Sequence, residues 1–176
     1  MNAFPVIRLV LAATAACLLF TACTSAPPAS PAAMDATTPA QRLAAVQAVA
    51  GADDKELSVQ PLRDPQVDDL RETANARREA GDLGGAADAL NQALLLVDGD
   101  PAVLQERAEV ALLQGDWPRA ETLARKAVAL GSRTGPLCRR HWATIEQAHL
   151  ARAEKENATS AHAQIEGCTV PGIIRY

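Results

Sequence analysis

Aromatic side chains are nearly missing from this 176-residue chain: two Trp, one Tyr and two Phe, 3% of the sequence. Phe4 and Phe20 both fall within the first 22 residues, so the remainder holds only Trp117, Trp142 and Tyr176. Three isolated rings cannot build a platform on which bases or sugars stack. Positive charge is also short, with 17 Lys and Arg against 21 Asp and Glu and a net charge of −4. Such a balance leaves no electrostatic footprint for a phosphate backbone and excludes nucleic acid as the main partner. Catalytic signatures are missing too: there is no Gly-x-Ser-x-Gly, no His-Glu-x-x-His and no phosphate-cradling Gly loop. No enzyme activity, cofactor, metal or small-molecule substrate is therefore expected. His141 and His149 lie eight apart on one expected helix, about 12 Å of rise, too far to share a metal ion. With His162 they are expected as half-exposed helix residues.

Long apolar runs are limited to the start of the chain. Arg8 precedes an apolar stretch, Leu9 to Phe20, that is short for a membrane span and reads as the core of a signal peptide covering residues 1–22. The sequence Leu19-Phe20-Thr21-Ala22-Cys23 resembles a bacterial lipobox, with Phe20 standing where Leu is usual. That resemblance implies acylation of Cys23 as the mature N-terminus, membrane attachment through it, and, with Thr24 following, sorting to the outer membrane. Residues 23–37, rich in Pro, Ala and Ser, are too poor in large apolar groups to fold and read as a tether.

What is abundant is alanine at helical spacing, and it recurs. Gly81-Asp82-Leu83 is answered 34 residues on by Gly115-Asp116-Trp117, and Leu70, Ala74, Ala86, Ala93 and Leu96 by Leu104, Ala108, Ala120, Ala127 and Leu130. A fixed period of this size marks stacked helix pairs, none of which can bury its apolar face alone. The expected fold is all-α: a short solenoid of about three helical hairpins over residues 66–168, ending in a tail over 169–176. Before it, over 38–65, come one short helix and an extended connector. Thr38, Pro39 and Gln41 open that helix as a capping box, Leu43, Val46 and Ala50 share its face, and Gly51 ends it. The first hairpin is expected to bury Val67, Leu70, Ala74 and Ala80, then Ala86, Leu90, Ala93, Leu94 and Val97. The second repeats the plan with Leu104, Ala108, Ala111, Ala120, Leu123, Ala124, Ala127 and Val128. In the third, four extra residues in the loop 131–136 place Ala153-Glu154 at the turn, with Leu137, Trp142, Ile145, Ala148, Ala158, Ala161 and Ile165 inside. Asp82, Asp116 and Glu154 are read as helix caps, and Trp117 as packing between helices.

Period, Gly-Asp turns and alanine positions are those of tetratricopeptide repeats, which residues 67 to about 166 resemble. A Cys-anchored, Pro-linked chain of three such repeats also resembles small outer-membrane lipoproteins of gamma-proteobacteria that activate a bifunctional peptidoglycan synthase. The segment Trp142–His149, Trp-Ala-Thr-Ile-Glu-Gln-Ala-His, carries part of that likeness. It implies a non-enzymatic, lipid-anchored interaction module on the periplasmic face of the outer membrane. A pilotin-like or assembly-complex accessory role is the alternative. In such repeats the concave wall is made by the first helix of each pair, and its positions fall here on Arg71, Asn75, Arg78, Gln105, Glu109 and Arg140. These are the expected contacts to an envelope protein. Arg71, Asn75 and Arg140 further resemble a carboxylate clamp, from which Glu106 and Thr144 depart.

Cysteine numbers four. Cys17 lies in the signal segment and Cys23 is assigned to the lipid, so Cys138 and Cys168 remain as thiols in an oxidising compartment. A turn near Ala153 brings them side by side for a disulfide. A single continuous helix would hold them about 45 Å apart. Two free thiols or a link to a partner are the other outcomes.

Overall fold

The computed structural model describes residues 36–51 and 64–169. The signal segment, Cys23, most of the tether, the connector over 52–63 and the tail beyond Thr169 lie outside the described residues. Within them the chain forms seven helices and no strand. A single helix, α1 (Pro39–Ala50), comes first. Three hairpins follow: α2 (Pro65–Glu79) with α3 (Leu83–Leu96), α4 (Pro101–Leu113) with α5 (Trp117–Leu130), and α6 (Pro136–Ala151) with α7 (Lys155–Gly167). Each helix packs on the next along the chain from α2 onward, as in an α-solenoid.

Local chemistry sets the boundaries. Thr38 closes the capping box with Gln41, and Gly51 terminates α1 at φ 77°. Asp64 and Asp100 cap α2 and α4 ahead of a Pro in the first turn. The start of α2 at Pro65 takes that residue out of the expected extended connector. At the hairpin turns Gly81 and Gly115 take φ 82° and 74°, a left-handed conformation that glycine adopts without a Cβ penalty. Asp82 and Asp116 then accept the backbone N–H groups of Gly85 and Arg119. In the third turn Ala153 holds the left-handed position at φ 59°. Glu154 follows it but makes no side-chain cap, contrary to the sequence reading. Its carboxylate instead accepts from Arg152 and meets His149.

The hairpins approach closely because small residues face one another. Ala86, Ala93, Ala108, Ala111, Ala120, Ala124 and Ala127 are wholly buried. Ala158, Ala161 and Ile165 line α7 as expected, and Ile145 and Ala148 line α6. Leu70, Leu94, Leu123, Val128, Leu137 and Trp142 are half-buried at the margins. The exceptions sit at helix ends. Ala80 and Val97 are exposed, and the 34-spaced pair Leu96 and Leu130 stays in contact with water. The periodic match thus runs a turn beyond the packed part of each helix. The extra residues of the third repeat are also divided differently: α6 is 16 residues against 13 for α4, so most of the insertion lengthens the helix rather than the loop.

Cys138 opens α6 and Cys168 closes α7, and a disulfide joins them with Cα atoms 5.7 Å apart. Beside it the Gly135 N–H donates to the Cys168 carbonyl at 2.8 Å. Closing a loop of this length contributes about 3–4 kcal/mol by restricting the unfolded chain. It acts on the terminal hairpin, which has no following neighbour among the described residues.

Helix α4 lies at the centre, against α1, α3, α5 and α6, and only the first, sixth and last of its residues show more than slight exposure. It therefore carries polar side chains into the interior. Gln105 is 0% exposed. Its amide nitrogen donates to Thr144 Oγ1 at 2.8 Å and Glu109 Oε1 at 2.9 Å, while its oxygen lies 2.7 Å from His141 Nδ1. Because an amide oxygen only accepts, that contact fixes the proton on Nδ1. The sequence reading placed His141 and His149 half in solvent; they are 0% and 3% exposed, drawn inward by longer packing on α6. Burial, with the charge of Arg140 nearby, holds the His141 imidazole neutral and lowers its pKa to about 4.

Substitutions at the turns and a change of pH test this packing in thermal melts and urea unfolding. Ala153→Gly relieves a left-handed alanine at the cost of a more flexible unfolded chain, and is expected to stabilise by up to about 1 kcal/mol. Gly115→Ala is expected to destabilise by about 1 kcal/mol in the same thermal melts. For His141 the unfolded chain takes up a proton near pH 6.5 and the folded one only near pH 4. Stability present above pH 6.5 is accordingly lost as pH falls through that window, by about 3 kcal/mol in total. Urea unfolding across pH 7 to 4 should show this slope in the native chain and a flatter one in His141→Gln.

Candidate functional site

The wall expected to receive a partner is the row α2, α4, α6, and the chain's own first helix packs on the α4 and α6 part of it. Leu43 and Val46, three residues apart on α1, are buried against Leu112 and Ala143 of that wall. Arg42 donates from Nη1 to the Gln147 backbone oxygen at 3.3 Å and side-chain oxygen at 3.2 Å. Its guanidinium carbon also stands 5.7 Å from the centre of the Trp117 ring, a cation–π contact. At the other end, Arg139 donates to the Val49 and Ala50 carbonyls at 3.2 and 2.8 Å. A cation there satisfies carbonyls that a helix leaves free and complements its dipole. The sequence held a signal for this arrangement: a short capped helix with an apolar stripe needs a surface to bury it. Arg42 and Arg139, which fasten it, were not singled out.

What remains open is a cleft of about 340 Å³ between α2, α4 and the start of α6, with Gln47 of α1 at its edge. Five of the six expected contact residues line it: Arg71, Asn75, Arg78, Glu109 and Arg140. Gln105 does not, since it is buried in the network beneath. Glu109 is a correction of another kind, for it lines the cleft while being 0% exposed. It forms the floor rather than an accessible wall.

The arginines of the cleft are already matched with carboxylates. Arg71 holds Glu106 through two guanidinium nitrogens and reaches Asp68 at 3.2 Å. The bond to Glu106 raises the Arg71 pKa against the opposing effect of burial. Arg140 grips Glu109 Oε1 from Nε at 3.0 Å and Nη2 at 2.5 Å. Arg78 donates to Asn75 Oδ1 and stands 3.9 Å from Glu109 Oε2. The positions that resemble a carboxylate clamp thus hold internal carboxylates: Glu106 on Arg71, Glu109 on Arg140 and Glu79 on Asn75. The second departure, Thr144, sits below the cleft as an acceptor for Gln105. A partner's carboxylate would have to displace Glu106 or Glu109 from these arginines.

A second charged cluster binds the repeats to each other. Arg152 pairs with Glu121 of the preceding hairpin and with Glu154, and His149 lies between those two carboxylates. Burial pushes the Glu121 carboxyl up, but hydrogen bonds from Arg125 and Arg152 outweigh it and hold the pKa below the usual range. Arg152 and His149 together draw Glu154 down to about 2. His162 is exposed and pairs with Glu146 at 2.9 Å. Among the described residues no group of three His, Cys, Asp or Glu is placed to hold a metal ion, and no helix is long and apolar enough to cross a membrane.

Neither the family models nor the curated protein sequences give a match to this chain. Among solved structures, the globular C-terminal domain of LpoP from P. aeruginosa superposes with a TM-score of 0.56. The two are 30% identical over 60% of this chain and 99% of that domain. Since the likeness spans that whole domain at this identity, the chain belongs to the LpoP family.

Proposed function

We propose that this protein is a non-enzymatic regulator of a peptidoglycan synthase, held at the periplasmic face of the outer membrane by a lipid on Cys23. The observation that carries the reading is the match along the full length of the LpoP globular domain. Two features support it. The helix wall is stabilised from within by α1, so the open cleft beside it is a preformed surface rather than one that folds on binding. Its exposed and half-exposed groups, Arg71, Asn75, Arg78 and Arg140, are charged and hydrogen-bonding, as suits a contact that is made and broken. In this reading the cleft meets the synthase and α1 serves as a spacer between tether and binding surface.

The double substitution Arg71→Gln with Arg78→Gln tests the site. Both side chains are partly exposed, so the melting temperature should fall by only a few degrees, about 1 kcal/mol. Affinity for the purified bifunctional synthase should fall at least about tenfold, the effect of losing one good interfacial charge contact. Unchanged affinity in a stably folded double variant would move the contact away from this cleft. The anchor is tested separately. Cys23→Ala should leave a longer precursor that no longer incorporates labelled palmitate, and equal labelling of the variant would refute the assignment.

A further inference from the structure

A second depression, of about 500 Å³, lies between α3, α4 and the first turns of α5. Its central residue, Arg107, is two positions from Glu109 and so about 200° around α4 from it. The depression therefore opens on the side of the array away from the helix-wall cleft. Arg107 is only 4% exposed. Its Nε donates to Asn91 Oδ1 at 3.1 Å, but Nη1 is buried with no acceptor. Among the described residues no carboxylate comes within ion-pair distance of it. Asp116, which also lines the depression, is already engaged: one oxygen accepts from the Arg119 backbone and the other pairs with the Arg119 Nε at 3.1 Å. Burial, and then the charge of Arg119, push the Arg107 pKa below its ordinary value, only partly offset by Asp116 and Asp88 from a distance.

A buried guanidinium without a counter-charge is costly, and an apolar side chain of similar length would pack there at lower free energy. The charge is therefore explained better by something that arrives than by what is present. The groups around it indicate what that is. Among the residues that line the depression, Arg107, Arg119 and Asp116 leave a formal surplus of one positive charge, with Asp88 farther off, so a single negative charge suits it better than two. Pro118 and Leu123 supply apolar walls for the stem of a side chain. We infer that this depression is a carboxylate-binding site for an acidic residue of a protein partner, with Arg107 as its buried cation and Arg119 at its rim. The site is separate from the helix-wall cleft and does not rest on the function proposed for that cleft.

The test uses the full chain, isotopically labelled, and two capped tripeptides, acetyl-Ala-Glu-Ala-amide and acetyl-Ala-Gln-Ala-amide, with inorganic phosphate as a third probe. The glutamate peptide should shift the Arg107 Nε–H signal and the Thr122 and Leu123 amides in a saturable manner. The glutamine peptide should leave them unmoved at equal ionic strength. Arg107→Met should abolish the response and, with no peptide present, melt at the same or a higher temperature, which a merely structural arginine would not do. Arg119→Gln, an exposed change that keeps the fold, should weaken the glutamate peptide about fivefold. This second variant decides the matter if Arg107→Met fails to fold. The inference is overturned if the glutamate peptide produces no saturable shift. It is equally overturned if Arg119→Gln leaves the affinity unchanged, or if phosphate binds while the glutamate peptide does not.

Discussion

A helix packed against four neighbours has to settle most of the polar groups it carries without help from water, and α4 is such a helix. It brings Gln105, Arg107 and Glu109 into the interior, at positions where a purely apolar stripe would pack more simply. Two of the three are answered from α6: Gln105 by His141 and Thr144, Glu109 by Arg140. Those bonds fix the register between the second and third hairpins, because a slide of one turn would leave several buried groups without partners. Alanine contacts alone, being small and repetitive, would tolerate such a slide. The polar layer thus supplies the specificity that the apolar layer lacks. The floor of the helix-wall cleft and the buried Arg107 are two faces of that same helix.

Much of the architecture was legible because the helix boundaries are written in residues of narrow meaning. Gly81-Asp82 and Gly115-Asp116 specify turns, Asp-Pro and Thr-Pro pairs specify starts, and buried alanines specify where helices touch. The third hairpin was legible as well, despite its weak signature, since Ala153-Glu154 keeps the place of the Gly-Asp turn. Its chemistry was not, because Glu154 exchanged capping for an ion pair whose partners, Arg152 and His149, only folding brings together. The surface at helix ends was misjudged for a general reason. Periodicity records which face of a helix turns inward, not how far along that face the neighbour extends, and so Val97 and Ala80 ended in solvent.

The candidate site was readable as a row of positions but not as a set of pairs. Counting along each first helix located Arg71, Asn75, Arg78 and Arg140 on one wall. It could not show that Glu106 and Glu109 already hold the arginines, since those pairs join residues 35 and 31 apart in sequence. Nor could it show that α1 lies on the same wall. A helix of 12 residues with three large apolar side chains, Leu43, Val46 and Val49, has no preferred docking place until the wall exists. Arg107 was hidden for another reason: in a helix that also carries Gln105, Glu106 and Glu109, a charged residue reads as part of a solvated face until the neighbours on that side are known.

The seating of α1 on α6 also settles how the molecule bears load. A pull on the chain upstream of Thr38 is received by the Arg42–Gln147 and Arg139–Val49 contacts, and passes into the hairpin that the disulfide closes. The first hairpin follows in sequence, beyond the 52–63 segment, and stands off that line of force. Tension from a membrane-fixed end would then enter the array through the part that is covalently closed. A domain leashed at one end would meet the pull first at its most strongly closed hairpin.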